Sequence, residues 1–286
     1  MANIRLIKRR IKGVQNTAKI TKAMEMIAAS KMRRAQERGL AGRPYTQKIT
    51  QVISTLASVP QDKTPHPLLE ARDPVKHIAV VHITPDRGLS GGLVSNLNRK
   101  AAAFILEQAL PTSVIAVGRK GLEFMRRTSQ NVVAEFVQLG DKPSMVDTLP
   151  ISRIIIDDFV SGKLDAVYIS YARFVNTMVQ TPTVQKILPV TPLVVEAGKN
   201  NPDYIFEPTS AAVLDALLPR FVEMNVYHAV LEAIASEQSA RMIAMRNATE
   251  NANELIDDLT LIYNKARQES ITTELLDIIG GAAALA

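Results

Sequence analysis

Apolar residues recur at helical spacing in two segments, one near each end of the chain. The first segment extends from Asn3 to about Arg38. Its apolar residues lie three and four positions apart: Ile4, Ile7, Ile11, Val14 and Ala18, then, after a shift of phase, Ile20, Met24, Ile27 and Ala28. This spacing predicts a helix with one apolar seam. Gly39, Gly42 and Pro44 could break the helix, but the period resumes at Ile49, so the sequence leaves open whether it bends or continues.

The second segment is longer and more regular. Residues Arg220 to Ile279 include neither glycine nor proline, and an unbroken helix of that length would reach roughly 90 Å. Of fifteen heptad positions counted from Leu217, twelve are apolar or aromatic, which indicates a coiled-coil seam. We expect Pro219 to kink this helix or to mark its start. Because two seams flank a compact region, we expect an intramolecular antiparallel pair; packing of each helix on a different subunit is the alternative.

Between these segments, short apolar runs alternate with helical patterns. Strands are predicted at His77–Thr84, Val114–Val117, Val132–Val137 and Ala166–Tyr171, and helices at Leu93–Ala109, Gly121–Thr128 and Val146–Val160. This alternation is typical of a parallel or mixed sheet covered by helices. The proline-rich stretches Pro60–Pro74 and Thr181–Pro208 are predicted to be linkers.

The predicted fold class is therefore α/β plus a long antiparallel coiled coil formed by the N- and C-terminal helices. The expected parts are an N-terminal helix over residues 1–58, a Rossmann-like α/β domain over 75–195 and a C-terminal helix over 209–286. The first and last parts are expected to form one discontinuous unit.

Composition and charge restrict the kinds of site and partner that this chain can have. The absence of cysteine excludes disulfides, thiolate zinc sites and thiol catalysis, and four scattered histidines make a His-based metal site improbable. With no signal-peptide core and no apolar stretch of ~20 residues, we expect a mature cytosolic protein. Residues 1–48 contain thirteen Lys and Arg against two Glu, a net +11 within a chain of net +6. Such a segment could bind nucleic acid, an anionic membrane surface or acidic protein loops, or could be a solvated helix face.

No self-contained active site is predicted. The glycine-rich stretch Asp86–Gly92 follows the first strand, where a dinucleotide fold places its phosphate turn, but its spacing does not match G-x-G-x-x-G. A structural turn is the favoured interpretation. The adjacent pairs Asp157-Asp158 and Asp257-Asp258 point about 100° apart on a helix, so neither pair converges on a substrate. We predict no catalytic residue, no cofactor, no metal and no direct small-molecule substrate.

Three stretches, in the same order along the chain, resemble the gamma subunits of rotary proton-translocating ATP synthases. These are residues 11–26, the turn at residues 86–92, and residues 271–282, which fit the pattern I-T-x-E-x-x-[DE]-x-x-x-G-A position for position. The resemblance implies a central rotor stalk whose coiled coil lies inside a ring of alternating alpha and beta subunits. It implies that the α/β domain lies with the epsilon subunit on the ring of c subunits. Catalysis would belong to the beta subunits.

The resemblance also assigns roles to residues. The contact with the beta-subunit loops, or catch, would include Arg241, Arg267, Gln268, Thr272, Glu274, Lys22 and Met24. A hydrophobic bearing would include Leu275, Leu276, Ile278 and Ile279. The foot near the c-ring and epsilon would include Tyr204 and Glu207.

The chain lacks the inserted cysteine pair of chloroplast-type gamma subunits. This difference favours a bacterial form without thiol regulation. The resemblance implies that such a chain is peripheral on the cytoplasmic face of the cell membrane and has no nucleic-acid partner. A basic coiled-coil protein that binds nucleic acid or an anionic membrane surface is the main alternative. A nucleotide-dependent enzyme built on the Gly88–Gly92 turn is a third hypothesis.

Overall fold

The computed structural model describes residues 4–58, 66–191, 207 and 209–285. The elements in chain order are α1 (Ile4–Ser58), β1 (Ile78–Ile83), α2 (Leu93–Gln108), β2 (Thr112–Val117), α3 (Arg119–Arg127), β3 (Asn131–Phe136), α4 (Met145–Val160), β4 (Ala166–Phe174), β5 (Gln180–Leu188) and α5 (Ser210–Leu285). Two compact units result, which we call the coil unit (Met1–Ala28 with Arg241–Ala286) and the sheet unit (Ala29–Ala240). Helices α1 and α5 contribute to both.

Both long helices continue through a proline. Pro44 lies inside α1 and Pro219 inside α5, and α5 begins at Ser210. Pro219 therefore does not mark the start of its helix, and α1 does not end at the Gly39–Pro44 stretch. An internal proline costs a helix about 3 kcal/mol. Tertiary packing compensates here, because both helices bury aliphatic residues in the core beside these prolines.

The sheet has the strand order β3-β2-β1-β4-β5. Strands β1 to β4 pair in parallel, and Ile78 of β1 lies between Thr112 of β2 and Ala166 of β4. Every residue of β1 is buried, as expected for a central parallel strand covered on both faces. The four predicted strands and the three helices between them are confirmed, with ends shifted by a few residues.

The fifth strand contradicts the sequence prediction. Strand β5 pairs antiparallel with β4, within a stretch predicted to be a linker because of its prolines. Pro182 is nevertheless compatible with this position, since β5 is the last strand of the sheet and its outer edge requires no ladder hydrogen bonds.

The core of the sheet unit joins the sheet to α4 and to both long helices. Helix α1 contributes Ile49, Ile53 and Leu56, all at most 4% exposed. Helix α5 contributes Leu214, Leu218, Val222, Val226, Ala229 and Val230. A smaller cluster on α2, α3 and the strands beneath them includes Ala101 and Met125.

In the coil unit, α1 and α5 form an antiparallel pair. The hydroxyls of Thr21 and Thr249 lie 2.7 Å apart, and the Nε of Arg246 donates to Glu25 at 3.1 Å. From Thr21 to Glu25 the chain of α1 advances, while the partner on α5 moves back from Thr249 to Arg246, so the two helices run in opposite directions. The intramolecular pair predicted from the two seams is confirmed.

The seam of α1 corrects one detail of the prediction. Buried or partly buried positions keep an unbroken spacing of three and four residues through Ala18, Thr21, Glu25 and Ala28. The predicted shift of phase is wrong, since Ile20 and Ile27 are 60% and 55% exposed. Thr21 and Glu25 can occupy the seam because α5 supplies a hydrogen-bond partner to each. On α5 the predicted seam is confirmed by the buried Met242, Met245, Ala252, Leu259 and Ala266.

Candidate functional site

The pairing of the two helices ends before α5 does. Thr21 of α1 pairs with Thr249 of α5. The first described residue of α1, Ile4, lies seventeen residues before Thr21, so in an antiparallel pair its counterpart is Ala266, seventeen residues after Thr249. Ala266 is also the last buried residue among the α5 side chains that the structure describes. The described part of α1 therefore offers no seam partner to the rest of α5.

Beyond this point α5 presents aliphatic side chains to solvent. Every described side chain from Ile271 to Ala282 is exposed, and we call this segment the apolar tip. Its large aliphatic residues are 49–68% exposed: Ile271, Leu275, Leu276, Ile278 and Ile279. Burial of one such side chain is worth about 1.5–3 kcal/mol. Contiguous exposed apolar surface of this kind is typical of an interaction site.

Polar residues of the predicted catch lie just before and within the tip. Arg267, Gln268, Thr272 and Glu274 are all exposed. The Thr272 hydroxyl donates to the Gln268 carbonyl of its own helix at 2.9 Å, and Ser270 donates to Glu274 at 3.4 Å. These are local bonds on an open helix surface, so the Gln268 amide and most of the Glu274 carboxylate face solvent.

The remaining catch residues lie in a different setting. The Nζ of Lys22 donates to Glu25 at 2.9 Å, and Glu25 also accepts from Arg246. The Lys22 hydrogen bond, together with Arg246 and against the effect of burial, holds the pKa of Glu25 below its usual value. The Lys22 ammonium is thus engaged within its own helix. Met24 and Arg241 are partly buried.

The surface of the coil unit carries a further apolar stripe, which includes Ile20 and Ile27, the two residues that the sequence prediction placed in the seam. Leu6, Ile20 and Ile27 lie at one heptad position of α1 and are 55–60% exposed. Leu255, Leu261 and Ile262 of α5 are exposed as well. Thr21 and Glu25 continue the three- and four-residue spacing of the seam. A prediction that followed this spacing, and not polarity, would have placed Ile20 and Ile27 on the surface.

The glycine-rich turn after β1 holds loops together. The two carboxylate oxygens of Asp86 accept the backbone N–H groups of Arg119 and Gln138, each at 2.9 Å. Asp86 thereby links the segments that follow β1, β2 and β3. Gly118 completes this junction, because a Cβ there would lie 1.9 Å from the Thr84 carbonyl oxygen. The contacts agree with the structural turn favoured from sequence.

One buried histidine belongs to the sheet. The Nδ1 of His82 lies 3.2 Å from the Ser170 hydroxyl, and its Nε2 lies 2.9 Å from the side-chain Oδ1 of Asn98. Complete burial lowers the pKa of His82 to about 4, although the hydrogen bond from the ring to the Asn98 side chain opposes this shift. The ring is therefore neutral at pH 7 and ties β1 to β4 and α2.

The predicted foot is only partly described. Tyr204 lies outside the described residues, and Glu207 is exposed. Within residues 4–58, 66–191, 207 and 209–285, no group of three His, Cys, Asp or Glu side chains is placed to hold a metal ion. No helix in these ranges is both long and apolar enough to cross a membrane.

Solved structures share this fold. The central stalk and c-ring structure of the Tetrahymena thermophila mitochondrial ATP synthase includes a chain that matches with a TM-score of 0.60 and 24% identity, covering 80% of this chain and 99% of that one. A rotor chain of the Euglena gracilis mitochondrial ATP synthase matches with a TM-score of 0.64 and 20% identity, covering 94% and 98%. This chain therefore shares the fold of those two chains.

Sequence comparison identifies the family. A model described as ATP synthase matches residues 3–285. The ATP synthase gamma chain of Dehalococcoides mccartyi is 67% identical over the full length of both chains. That of Roseiflexus castenholzii is 52% identical over all of this chain and 99% of its own. This chain belongs to the gamma-chain family of ATP synthases, and so is one part of an enzyme complex.

Proposed function

We propose that this chain is the central rotating shaft of a bacterial ATP synthase. It couples c-ring rotation, driven by proton flow, to conformational changes at the catalytic sites of the beta subunits, in ATP synthesis and in the reverse hydrolysis. The observation that carries this proposal is the apolar tip, a helix end that the described residues of this chain leave exposed. Family membership supports the same role.

The coil unit suits a shaft because its faces differ. One face of α1 presents Leu6, Ile20 and Ile27, and the flanking positions present basic side chains such as Lys12 and Lys19. A shaft couples to three equivalent sites only when each orientation binds them unequally. Unlike faces meet this requirement. At the apolar tip, aliphatic contacts have no directional preference, so a sleeve of the alpha and beta subunits can surround them without holding one angle.

The polar residues form the catch in this proposal. Arg267, Gln268, Thr272 and Glu274, together with Arg241, meet the beta-subunit loops. Arg267, Gln268, Thr272 and Glu274 are supported by their exposure on the part of α5 beyond its pairing with the described part of α1. Arg241 is partly buried and is included on the resemblance alone. Met24 and Lys22 contribute from α1, where Lys22 has to exchange Glu25 for an acidic loop. The exposed ion pair that Lys22 would form with such a loop is worth about 0–1 kcal/mol, so it can be broken at each step. The buried Glu25 keeps its bond from Arg246 when Lys22 leaves.

The other partners in this proposal are the c-ring and the epsilon subunit. Tyr204 and Glu207 form a foot near the c-ring and the epsilon subunit, and the chain is peripheral on the cytoplasmic face of the membrane. The chain itself is not catalytic in this proposal. The alternative of a basic coiled coil for nucleic acid or anionic membranes is not favoured, because it accounts neither for family membership nor for the exposed aliphatic tip.

Reconstitution tests the proposal. Purified alpha and beta subunits from the same source are mixed with and without this chain, and hexamer assembly and ATP hydrolysis are measured. We expect an alpha–beta–chain complex that hydrolyses ATP, and co-purification of the chain with the complex from native membranes. If no hexamer forms, or if hydrolysis is independent of the chain, the shaft role is wrong.

A further inference from the structure

Buried polar side chains are concentrated where α5 passes its last residues within the sheet unit. Ser236, Gln238 and Ser239 are 0%, 2% and 0% exposed. They follow directly on the aliphatic stretch that α5 buries in the core. A buried hydroxyl or amide is unfavourable unless it is hydrogen-bonded, so the contacts of these three residues matter.

The two serines bond to the sheet. The Ser236 hydroxyl donates to the carbonyl oxygen of Ala172 in β4 at 2.9 Å. The Ser239 hydroxyl donates to the carbonyl oxygen of Thr177, in the turn between β4 and β5, at 2.7 Å. The amide of Gln180 in β5 in turn donates to Ser239 at 3.3 Å.

A third connection reaches α1. Asp141, in the loop between β3 and α4, accepts from the Nζ of Lys31 at 2.6 Å. The Gln238 amide lies 3.5 Å from the other oxygen of the same carboxylate. We call Ser236, Gln238, Ser239, Asp141 and Lys31 the polar collar. Helix α5 is thereby bonded to β4, to the β4–β5 turn and to the loop after β3, and α1 is bonded to that same loop.

The choice of acceptor sets these serines apart. Hydroxyl side chains in a helix commonly bond to the carbonyl one turn earlier, as Thr50 of α1 and Thr272 of α5 do in this chain. Ser236 and Ser239 instead reach carbonyls more than sixty residues away in sequence. Hydrogen bonds depend steeply on distance and angle, whereas apolar contacts are non-directional. The collar therefore opposes rotation of α5 about its own axis relative to the sheet. The aliphatic core alone opposes this rotation less.

We infer that the polar collar is the positioning contact through which torque passes between the α/β sheet and the two helices. This inference rests on the proposed shaft function. Any rotation that the sheet receives has to reach the helices through contacts between sheet and helices, and in ATP-driven rotation the same contacts carry it in the opposite direction. Ser236 and Ser239 act by fixing the angle of α5, not by touching a partner or substrate.

The test uses the double variant Ser236→Ala with Ser239→Ala. It compares ATP hydrolysis by the soluble complex with ATP-driven proton pumping by the membrane complex. ATP hydrolysis by the soluble complex of this chain with alpha and beta needs no torque at the foot, and we expect it to remain within about twofold of wild type. ATP-driven proton pumping by the whole membrane complex needs that torque. We expect protons pumped per ATP to fall at least about fivefold, the factor that corresponds to losing two hydrogen bonds at the weak end of their ordinary range.

Two further variants make the result specific. Ser161→Ala removes a serine-to-carbonyl bond of 3.2 Å to Asp158 that joins nothing to α5, and it should change neither readout. Lys31→Met with Asp141→Asn alters partly exposed members of the collar, so it keeps the inference testable if the buried serine variants do not fold. It should lower pumping per ATP in the same direction, by a smaller factor.

The outcomes separate the two proposals. If hydrolysis and pumping fall together in the collar variants, the collar is only structural and the inference is wrong. An unchanged pumping ratio would overturn it as well. A wild-type chain that forms no active complex with alpha and beta would refute the shaft function itself, irrespective of the collar.

Discussion

Large aliphatic side chains are buried in one part of helix α5 and exposed in another. In the sheet unit, Leu214, Leu218 and Val222 are at most 1% exposed, whereas Leu276 and Ile278 of the apolar tip are 63% and 68% exposed. The first group stabilises the fold of this chain. The second group is not buried by the described chain, so a partner that buries these side chains would gain the free energy of removing them from water. Hydropathy does not distinguish the two groups; only the end of the pairing with α1 does.

The largest expected effect tests this contrast with one substitution at two places. Leu218→Ala leaves a cavity in the core and should lower the free energy of unfolding by about 2–5 kcal/mol. Leu276→Ala should change it by less than about 0.5 kcal/mol, as for exposed positions in general. Urea unfolding of the isolated chain measures both. Equal losses would mean that the tip is covered by its own chain.

A second prediction concerns acid stability of the sheet unit. The folded pKa of His82 is about 4 against an ordinary value of 6.5, so between these values the unfolded chain binds a proton that the folded chain does not. Stability is therefore full above about pH 6.5 and falls progressively towards pH 4, by about 3 kcal/mol at 1.36 kcal/mol per pKa unit. His82→Gln should flatten this slope in urea unfolding across pH 4–7. An unchanged slope would contradict the assignment.

The coil unit should respond in a lower pH range. The folded pKa of Glu25 is depressed, so its stabilising effect is complete above its ordinary value of 4.5 and is lost as the pH falls below it. Glu25→Gln should cost about 1 kcal/mol at pH 7, the strength of an ordinary hydrogen bond. Thermal unfolding followed through the helical signal measures the loss. Glu37→Gln, at an exposed position of the same helix, serves as the control and should have no comparable effect.

Sequence patterns predicted the buried elements well and the boundary between inside and outside less well. Strand β1 and the α5 seam are apolar enough to be recognised without a structure. Strand β5 was missed because Pro182 and Pro189 suggested a linker, although the last strand of a sheet tolerates proline. Ile20 and Ile27 were placed in the seam because hydropathy was given more weight than spacing. Spacing favours Thr21 and Glu25, and these residues fit there only because Thr249 and Arg246 lie opposite.

The candidate site was predicted by resemblance more than by pattern. The apolar character of Leu275, Leu276, Ile278 and Ile279 is plain in the sequence, but their exposure requires the register of the helix pair. The assignment of Lys22 to a partner did not anticipate its bond to Glu25. No periodicity indicates long-range partners for Ser236 and Ser239.

The smallest expected effect on stability accompanies a large effect on coupling. Thr272→Ala with Glu274→Ala removes exposed groups and should change the free energy of unfolding by less than about 0.5 kcal/mol. In the proposed role, ATP synthesis should drop more than assembly does. Thr260→Ala with Glu254→Ala is the matched control, since both positions are exposed on the same helix and Thr260 makes the same kind of bond, to Ile256 at 2.7 Å. Unchanged synthesis in the first pair would remove these residues from the catch.

The shaft role itself is tested most directly by watching the chain turn. Because the sequence contains no cysteine, Ala103→Cys on the exposed surface of α2 supplies a single attachment point for a visible probe. With the alpha–beta hexamer fixed to a surface, addition of ATP should make the probe rotate in one direction, in three equal steps per turn. A probe that stays at one angle while ATP is hydrolysed would contradict the account.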